Sequence, residues 1–392
     1  MLKEKSLLML PGPTPIPPQV AAAMTRPMIN HRGEAFFTLF DEVSANLKYV
    51  FRTEQPVYVF PGAGSGGWEA ALVNTLNYGD KVLSVSIGDF GDRWFKVASA
   101  LGFDVERMEF APGEAADPSR IAERLADDTN KQIKAVLIQH NETSTGVTND
   151  VETIARIVRE HGALIMVDSV SGLGALPLET DAWGLDVVLT GAQKALMCPP
   201  GLSLITFSPR AHALSETNKM PRFFWDLKAV HAYYLKRQTP YTPAITMFYA
   251  LQAALQMLRE ETIEGAWQRH RLMGEMCRAG AKAAGLELLA KDEAWASNSV
   301  TAIMAPVEPK VLRKTAREKL GVQLAGGQGS LENAIIRIGH LGYVTPNDVL
   351  QALAATEMAL ALHGKLQDVG AAVAAAQQVW LTWMTATAKG GQ

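Results

Sequence analysis

From about residue 57 to residue 207, short apolar runs alternate with stretches of helical period. Val57 to Phe60, Lys81 to Val85, Ala135 to Gln139, Leu164 to Val167 and Asp186 to Leu189 are nearly unbroken in apolarity, as parallel strands buried on both faces are. Between them, the run beginning at Trp68 and Val151 to His161 have the period of helices, and Glu34 to Phe51 has it ahead of the first strand. This alternation predicts an α/β fold with a mostly parallel sheet covered by helices. From Ser208 to Tyr241 the pattern breaks into a polar, aromatic stretch with no sheet register, and Met247 to Arg259 then reads as a long helix.

Beyond about residue 265 the pattern becomes α+β. A helix is followed by a strand at Ser299 to Ala305, a helix at Pro309 to Lys319, a strand at Ile335 to Gly339 and a helix at Pro346 to Leu362. Before the first helices, Pro11, Pro13, Pro15, Pro17 and Pro18 fix φ and lack N–H donors, so this segment reads as an extended arm ending near Gln19. The expected organisation is an arm (1–20), a large α/β domain (21–260) and a small C-terminal α+β domain (261–392). The last thirty residues are rich in Ala, Gln and Gly and are expected to end in a frayed tail.

With 392 residues, the chain can build two large cores. A net charge of −3 argues against a nucleic-acid partner or a polybasic membrane role. Two cysteines exclude a disulfide scaffold or a Cys-rich metal site and fit a reducing compartment. No apolar run reaches membrane-spanning length, and the first eighteen residues are too proline-rich for a signal peptide, so a cytoplasmic location is expected.

The densest chemistry lies between Leu164 and Gly201. One apolar run ends on Asp168, and a second ends in a small-residue turn that presents Lys194 before Pro199, Pro200 and Gly201. Ligands of open α/β sheets bind beyond the carboxyl ends of the strands, so both residues face one crevice. A lysine and a carboxylate there suit pyridoxal 5′-phosphate: the amine binds the aldehyde, and the carboxylate keeps the pyridine nitrogen protonated. Equally, they are the residues of a surface lysine and a helix N-cap. The turn Gly62-Ala63-Gly64-Ser65-Gly66-Gly67 opens a helix and offers free N–H groups to a phosphate, but it matches neither the P-loop nor the dinucleotide fingerprint. Phe90, at a strand end, is placed to stack on a planar ring or to pack in the core. Thr143, in His140-Asn141-Glu142-Thr143-Ser144-Thr145, could reach a cofactor oxygen or cap the next helix. Gly12 lies in a turn that could line a site. His31 and Arg32 could meet an anionic substrate or serve a loop, and Arg337 could clamp a carboxylate or form a surface ion pair.

Taken together, PGPTPIPP, AGSGGWEAAL, HNETSTGV, VDSVSGLGALP, GAQKALMCPPGL, YTPAITMFYAL, SNSVTAIMAP and RIGHLG resemble the class V aminotransferases among the fold-type I pyridoxal-phosphate enzymes. The serine–glyoxylate and alanine–glyoxylate aminotransferases are the nearest likeness. The resemblance covers nearly the whole chain. It implies Lys194 as the Schiff-base lysine and Asp168 as partner of the pyridine nitrogen. It further implies Phe90 on the ring, Thr143 at the cofactor's oxygen, and Ala63, Gly64, Ser65 and Gln193 as the phosphate cup. Thr242 is implied to reach the phosphate from a neighbouring subunit, and hence a homodimer, with Arg337 on the substrate carboxylate. Ala63 stands where serine is frequent, which leaves one phosphate contact to the backbone. Thr239 stands where some relatives have tyrosine.

The implied activity is transamination of a small L-amino acid, serine or alanine, with glyoxylate or pyruvate as acceptor. A 2-aminoethylphosphonate transaminase shares the fold and lysine site, but RIGHLG argues against it. A cysteine desulfurase would need a reactive cysteine on a mobile loop, and neither Cys198 nor Cys277 is so placed. A silent structural subunit should have lost Lys194, Asp168 or Arg337.

Overall fold

The computed structural model describes residues 6–390. Residues 1–5 of the expected arm and the last two of the expected tail lie outside them. After β1 (Leu7–Met9), α1 (Pro18–Ala23) and α2 (Glu34–Phe51), the chain enters an alternating region. This runs β2 (Val57–Gly62), α3 (Gly64–Thr75), β3 (Lys81–Ser86), α4 (Asp89–Ala100), β4 (Asp104–Glu109), α5 (Pro118–Asp127) and β5 (Ile133–Gln139). A small hairpin, β6 (Asn141–Glu142) and β7 (Val147–Thr148), precedes α6 (Val151–His161), β8 (Leu164–Asp168), β9 (Val187–Gly191) and β10 (Gly201–Phe207).

Seven of these strands form one sheet in the order β2-β10-β9-β8-β5-β3-β4, in which only β10 runs against the others. The near-continuous apolarity has its cause here. Ile165 and Val167 face one core and Leu164 and Met166 the other, with Val136 and Ile138 against Ala135 and Leu137 beside them. Both faces are covered by helices, and the central strands β8 and β9 are buried along their whole length, while the edge strand β4 keeps exposed positions. Because β2, β3, β5, β8 and β9 point the same way, the residues that follow them emerge along one edge of the sheet.

The stretch from Ser208 to Tyr241 holds two helices, α7 (Pro209–Thr217) and α8 (Leu227–Tyr234). They are only 9 and 8 residues long, too short for a clear helical period in the sequence. The Ser208 hydroxyl caps α7 by accepting the Ala211 N–H. Next come α9 (Ile245–Glu261) and α10 (Ile263–Ala283), which break at Thr262; its side chain accepts the Gly265 N–H and caps α10.

A second sheet, β1-β12-β13-β11, is built from β11 (Val300–Met304), β12 (Val322–Gly326) and β13 (Ile335–Gly339), with α11 (Pro309–Leu320) and α12 (Pro346–Leu362) packed on it. Its fourth strand comes from the N-terminus: Leu7–Met9 pairs in parallel with Val322–Leu324, and Met9 is buried in the core otherwise formed from residues 272 to 376. The Ala- and Gln-rich stretch holds the helix α13 (Ala371–Gly390); the expected frayed end falls on the last two residues, outside the described ones. Alanine and glutamine favour helix, and the Glu357 carboxylate of α12 accepts the Gly370 and Ala372 N–H groups at its start. Ala372 and Ala376 then bury against the α10 side of that core. No helix among the described residues is long and apolar enough to cross a membrane.

Candidate active site

Five strand ends of the large sheet deliver the site. Beyond β2 lie Ala63, Gly64 and Ser65; beyond β3, Phe90; beyond β5, Thr143; at the end of β8, Asp168; and beyond β9, Gln193 and Lys194. The sheet thus draws together residues up to 131 positions apart (194 − 63).

Lys194 is buried beneath the N-terminal arm. Its Nζ donates to the Pro11 carbonyl at 2.6 Å, and Gly12, at φ +129°, passes so close that a Cβ there would lie 2.4 Å from Nζ. Thr14 fastens the arm by donating its N–H to Gln193 O at 3.1 Å and its hydroxyl to Lys194 O at 3.0 Å. Burial, the Arg337 charge and the opposing attraction of Asp168 leave the amine at about 8. About a tenth is therefore free base at pH 7, far more than an ordinary lysine offers, and this is the form a nucleophile or general base requires.

Asp168 is 4% exposed. Its Oδ1 accepts the Val170 N–H at 2.8 Å and its Oδ2 the Trp68 indole N–H at 3.2 Å. Burial, opposed by the Val170 bond and joined by the nearby Glu142 carboxylate, pushes it up to about 7. Trp68 lies one turn into α3 and is absent from the sequence-derived site. No local pattern marks it: its partner lies 100 positions away in the chain, and only the sheet brings the two together.

Glu142 was also missed as a site residue. It is fully buried, and one oxygen accepts the Phe90 and Gly91 N–H groups while the other accepts the Ser144 N–H and hydroxyl. A carboxylate from the β6 hairpin thereby caps the start of α4 and fixes Phe90 beside Thr143. Burial raises its pKa, partly offset by these bonds. Phe90 itself is half-buried on α4, with the Arg93 guanidinium 5.0 Å from its ring centre. Thr143 and Ser144 do not cap α6; Asp150 does, through the Thr153 N–H.

Arg337, on β13 of the second sheet, reaches across to the large one. Its Nη1 donates to Thr143 O at 2.7 Å and its Nε to Gly326 O at 2.8 Å. Burial lowers it to about 10, against the attraction of Glu142 and Asp89, so it remains cationic at neutral pH. Thr143 Oγ1 and Ser171 Oγ are 2.6 Å apart.

The other sequence-derived residues lie outside this cluster. Arg32 donates to Gln238 Oε1 at 2.7 Å and Thr239 O at 2.9 Å and lies over the Tyr233 ring, so it ties down the loop before Thr242. No described hydrogen bond joins it to Lys194, Asp168 or Arg337. His31 is half-buried beside it, and Thr242 is exposed.

The residues present suit pyridoxal phosphate. α3 has no side-chain cap at Ala63, which leaves the Gly64 and Ser65 N–H groups at its start for an anion. Gly64 is pressed against Val170 so closely that a Cβ would sit 2.5 Å from Val Cγ2, and this brings that turn onto the Asp168 loop. The buried Gln193 Oε1 has no partner among the described residues.

The family description "Aminotransferase class-V" matches residues 8–351. The chain is 41% identical to the soluble hydrogenase 42 kDa subunit of Anabaena cylindrica over 97% of its own length and 100% of the relative's. It is 38% identical to a serine–glyoxylate aminotransferase of Arabidopsis thaliana, with 94% of each chain covered, and 36% identical to an L-aspartate–glyoxylate aminotransferase of Paracoccus denitrificans, with 95% of each covered. A crystal structure of pyridoxamine–pyruvate aminotransferase from Mesorhizobium loti superposes with a TM-score of 0.92 at 28% identity, covering 97% of this chain and 99% of that one. The chain belongs to the class V aminotransferase family. It is an aminotransferase, and its cofactor is pyridoxal phosphate.

Proposed function

We propose that this protein transfers the amino group of a small L-amino acid, serine or alanine, to glyoxylate or pyruvate. The reaction runs as two half-reactions: an amino acid enters and leaves as its keto acid, then the acceptor enters and leaves as an amino acid. The observation that carries the reading is the convergence on one crevice of an amine at about 8, a carboxylate and an arginine that keeps free donors.

In this reading Lys194 holds the cofactor covalently, Asp168 faces its ring nitrogen, and Phe90 lies against the ring. Thr143 faces its phenolic oxygen, and Ala63, Gly64, Ser65 and Gln193 hold its phosphate. The cofactor, when bound, supplies an electron sink for the pair left on Cα. Once the substrate amine has replaced it, Lys194 would take the Cα proton and return it to the cofactor's aldehyde-derived carbon within the same half-reaction, and the acceptor half-reaction would run that transfer in reverse. Arg337 has used Nε and one Nη1 hydrogen on carbonyls; Nη2 is left to pair with the substrate carboxylate and orient Cα toward Lys194. The crevice lies between a large domain (21–260) and a small one (261–392), with the arm laid across the lysine.

A homodimer completes the site in the same proposal. Ala63, Ser65 and Thr242 are exposed, and so are the large apolar side chains Met28 at 64% and Phe223 at 79%, which a partner subunit would cover. Thr242→Ala should weaken cofactor binding, and sedimentation should give twice the chain mass. A monomer with full activity would contradict it.

A second reading for the donor has one specific observation behind it. Arg313 of α11 packs beside Gly326 (a Cβ there would lie 2.8 Å from its Cζ), and Gly326 O is the acceptor of Arg337 Nε. Its Nε is buried with no partner among the described residues, and its charge helps to lower Arg337. A second guanidinium beside the first favours a dicarboxylic donor such as aspartate. Comparison of kcat/KM for L-aspartate and L-serine in the wild type and in Arg313→Gln decides between the donors. Preference for aspartate, lost in the variant, supports this reading; preference for serine in both supports the first.

A further inference from the structure

We propose that Trp68 is a positioning residue that acts through Asp168: its indole N–H fixes the carboxylate's rotation and holds it in the anionic form that faces the cofactor's ring nitrogen. The inference rests on Asp168 being the partner of that nitrogen.

The geometry is specific. A carboxylate held by a single donor can swing about its Cβ–Cγ bond, whereas donors on both oxygens fix its plane. Val170 N–H holds Oδ1 and Trp68 Nε1–H holds Oδ2, each leaving one lone pair for a ligand. Trp68 is itself fixed. It is 3% exposed and stacks on the fully buried Trp94 with centroids 6.1 Å apart and planes 18° from parallel. It rides on α3, whose first turn is the one pressed against Val170. One helix end therefore sets both the anion cradle and the carboxylate's second donor, and keeps their spacing constant.

The electrostatics make the indole matter. Asp168 is buried and lies in the field of the Glu142 carboxylate, both of which favour its neutral form; Val170, Trp68 and Lys194 oppose them. If a single proton is shared between Asp168 and a ring nitrogen, a donor on the carboxylate lowers its proton affinity and leaves the proton on the ring. Removal of the indole N–H shifts the proton toward Asp168.

Two variants test this. Trp68→Phe keeps an aromatic ring on Trp94 without the donor. Replacement of Trp68 by β-(3-benzothienyl)alanine keeps the indole's shape and puts sulfur in place of N–H, which guards against a packing defect. In the cofactor-free protein, the infrared band of the protonated Asp168 carboxyl, assigned with Asp168→Asn, is titrated with pH. Both variants should raise its midpoint by about one unit or more. Cofactor dissociation constants, read from protein fluorescence, should rise about tenfold. A midpoint and dissociation constant unchanged in the benzothienyl protein would overturn the proposal. Loss of folding in Trp68→Phe alone leaves that result decisive. If Asp168→Asn also leaves cofactor binding unchanged, the assignment of Asp168 itself has failed. If Asp168→Asn weakens binding while both Trp68 variants do not, only the role of Trp68 has.

Discussion

Lys194 Nζ donates to the Pro11 carbonyl at 2.6 Å, a bond between residues 183 positions apart. The arm that carries Pro11 is fixed at both ends: upstream by the pairing of Leu7–Met9 with β12, and downstream by Thr14 on the Lys194 loop. It thereby ties the lysine of one sheet to the other sheet, which carries Arg337. Any shift of the arm moves the space above the amine.

Gly12→Ala tests that relationship. Its Cβ would meet Nζ at 2.4 Å, and φ of +129° is strained for any side chain. The variant should retain its circular dichroism and lose at least about tenfold in kcat, through displacement of a catalytic group from its productive position. Wild-type turnover would show that the arm yields freely.

Lys194 should also weaken the protein it serves. Its folded value of about 8 lies below the ordinary 10.5, so the unfolded chain binds more protons between those values. Stability of the cofactor-free protein therefore rises as the pH climbs from about 8 toward 10.5, and below 8 the full cost of burying the charge remains. A difference of about 2.5 units (10.5 − 8) is on the order of 3 kcal/mol. Lys194→Met should abolish turnover and borohydride trapping of the cofactor, yet raise the melting temperature of the cofactor-free protein by a few degrees at pH 7. An unchanged or lower melting temperature would contradict the burial cost.

Glu142→Gln replaces one acceptor oxygen by an NH2 group that faces N–H donors. Four bonds converge on that carboxylate, so the variant should lose about 1–3 kcal/mol in denaturant unfolding and free the start of α4. Retention of full stability would mean that the backbone alone holds the α4 start.

Arg337→Lys keeps the charge and loses the fork that reaches Thr143 O and Gly326 O together. A fall of about a hundredfold or more in kcat/KM is expected for carboxylate donors, with cofactor affinity nearly unchanged. Equal losses in both would place Arg337 in the cofactor site instead.

Much of this was legible in the chain. The parallel-strand runs, the strand-end positions of Asp168 and Lys194, and the glycine turn are local patterns, and the sheet sums them into a site. What escaped depends on contacts between distant segments. β1 is a three-residue strand that exists only because β12 pairs with it, and prolines beside it suggested nothing beyond an extended arm. Trp68 and Glu142 read as an ordinary helix residue and an ordinary polar residue after a strand until the sheet edge brings Asp168 and Phe90 to them. The terminal helix went unread because its stabilising cap, Glu357, lies 13 residues before Gly370.

The most direct test of the central claim is a single half-reaction. The purified, cofactor-loaded protein is mixed separately with L-serine, L-alanine, L-aspartate and 2-aminoethylphosphonate, without acceptor, and the cofactor's visible absorption band is followed. The account predicts that the band fades with at least one of the α-amino acids and returns on addition of glyoxylate. Fading with the phosphonate alone, or no response to any donor, would contradict it.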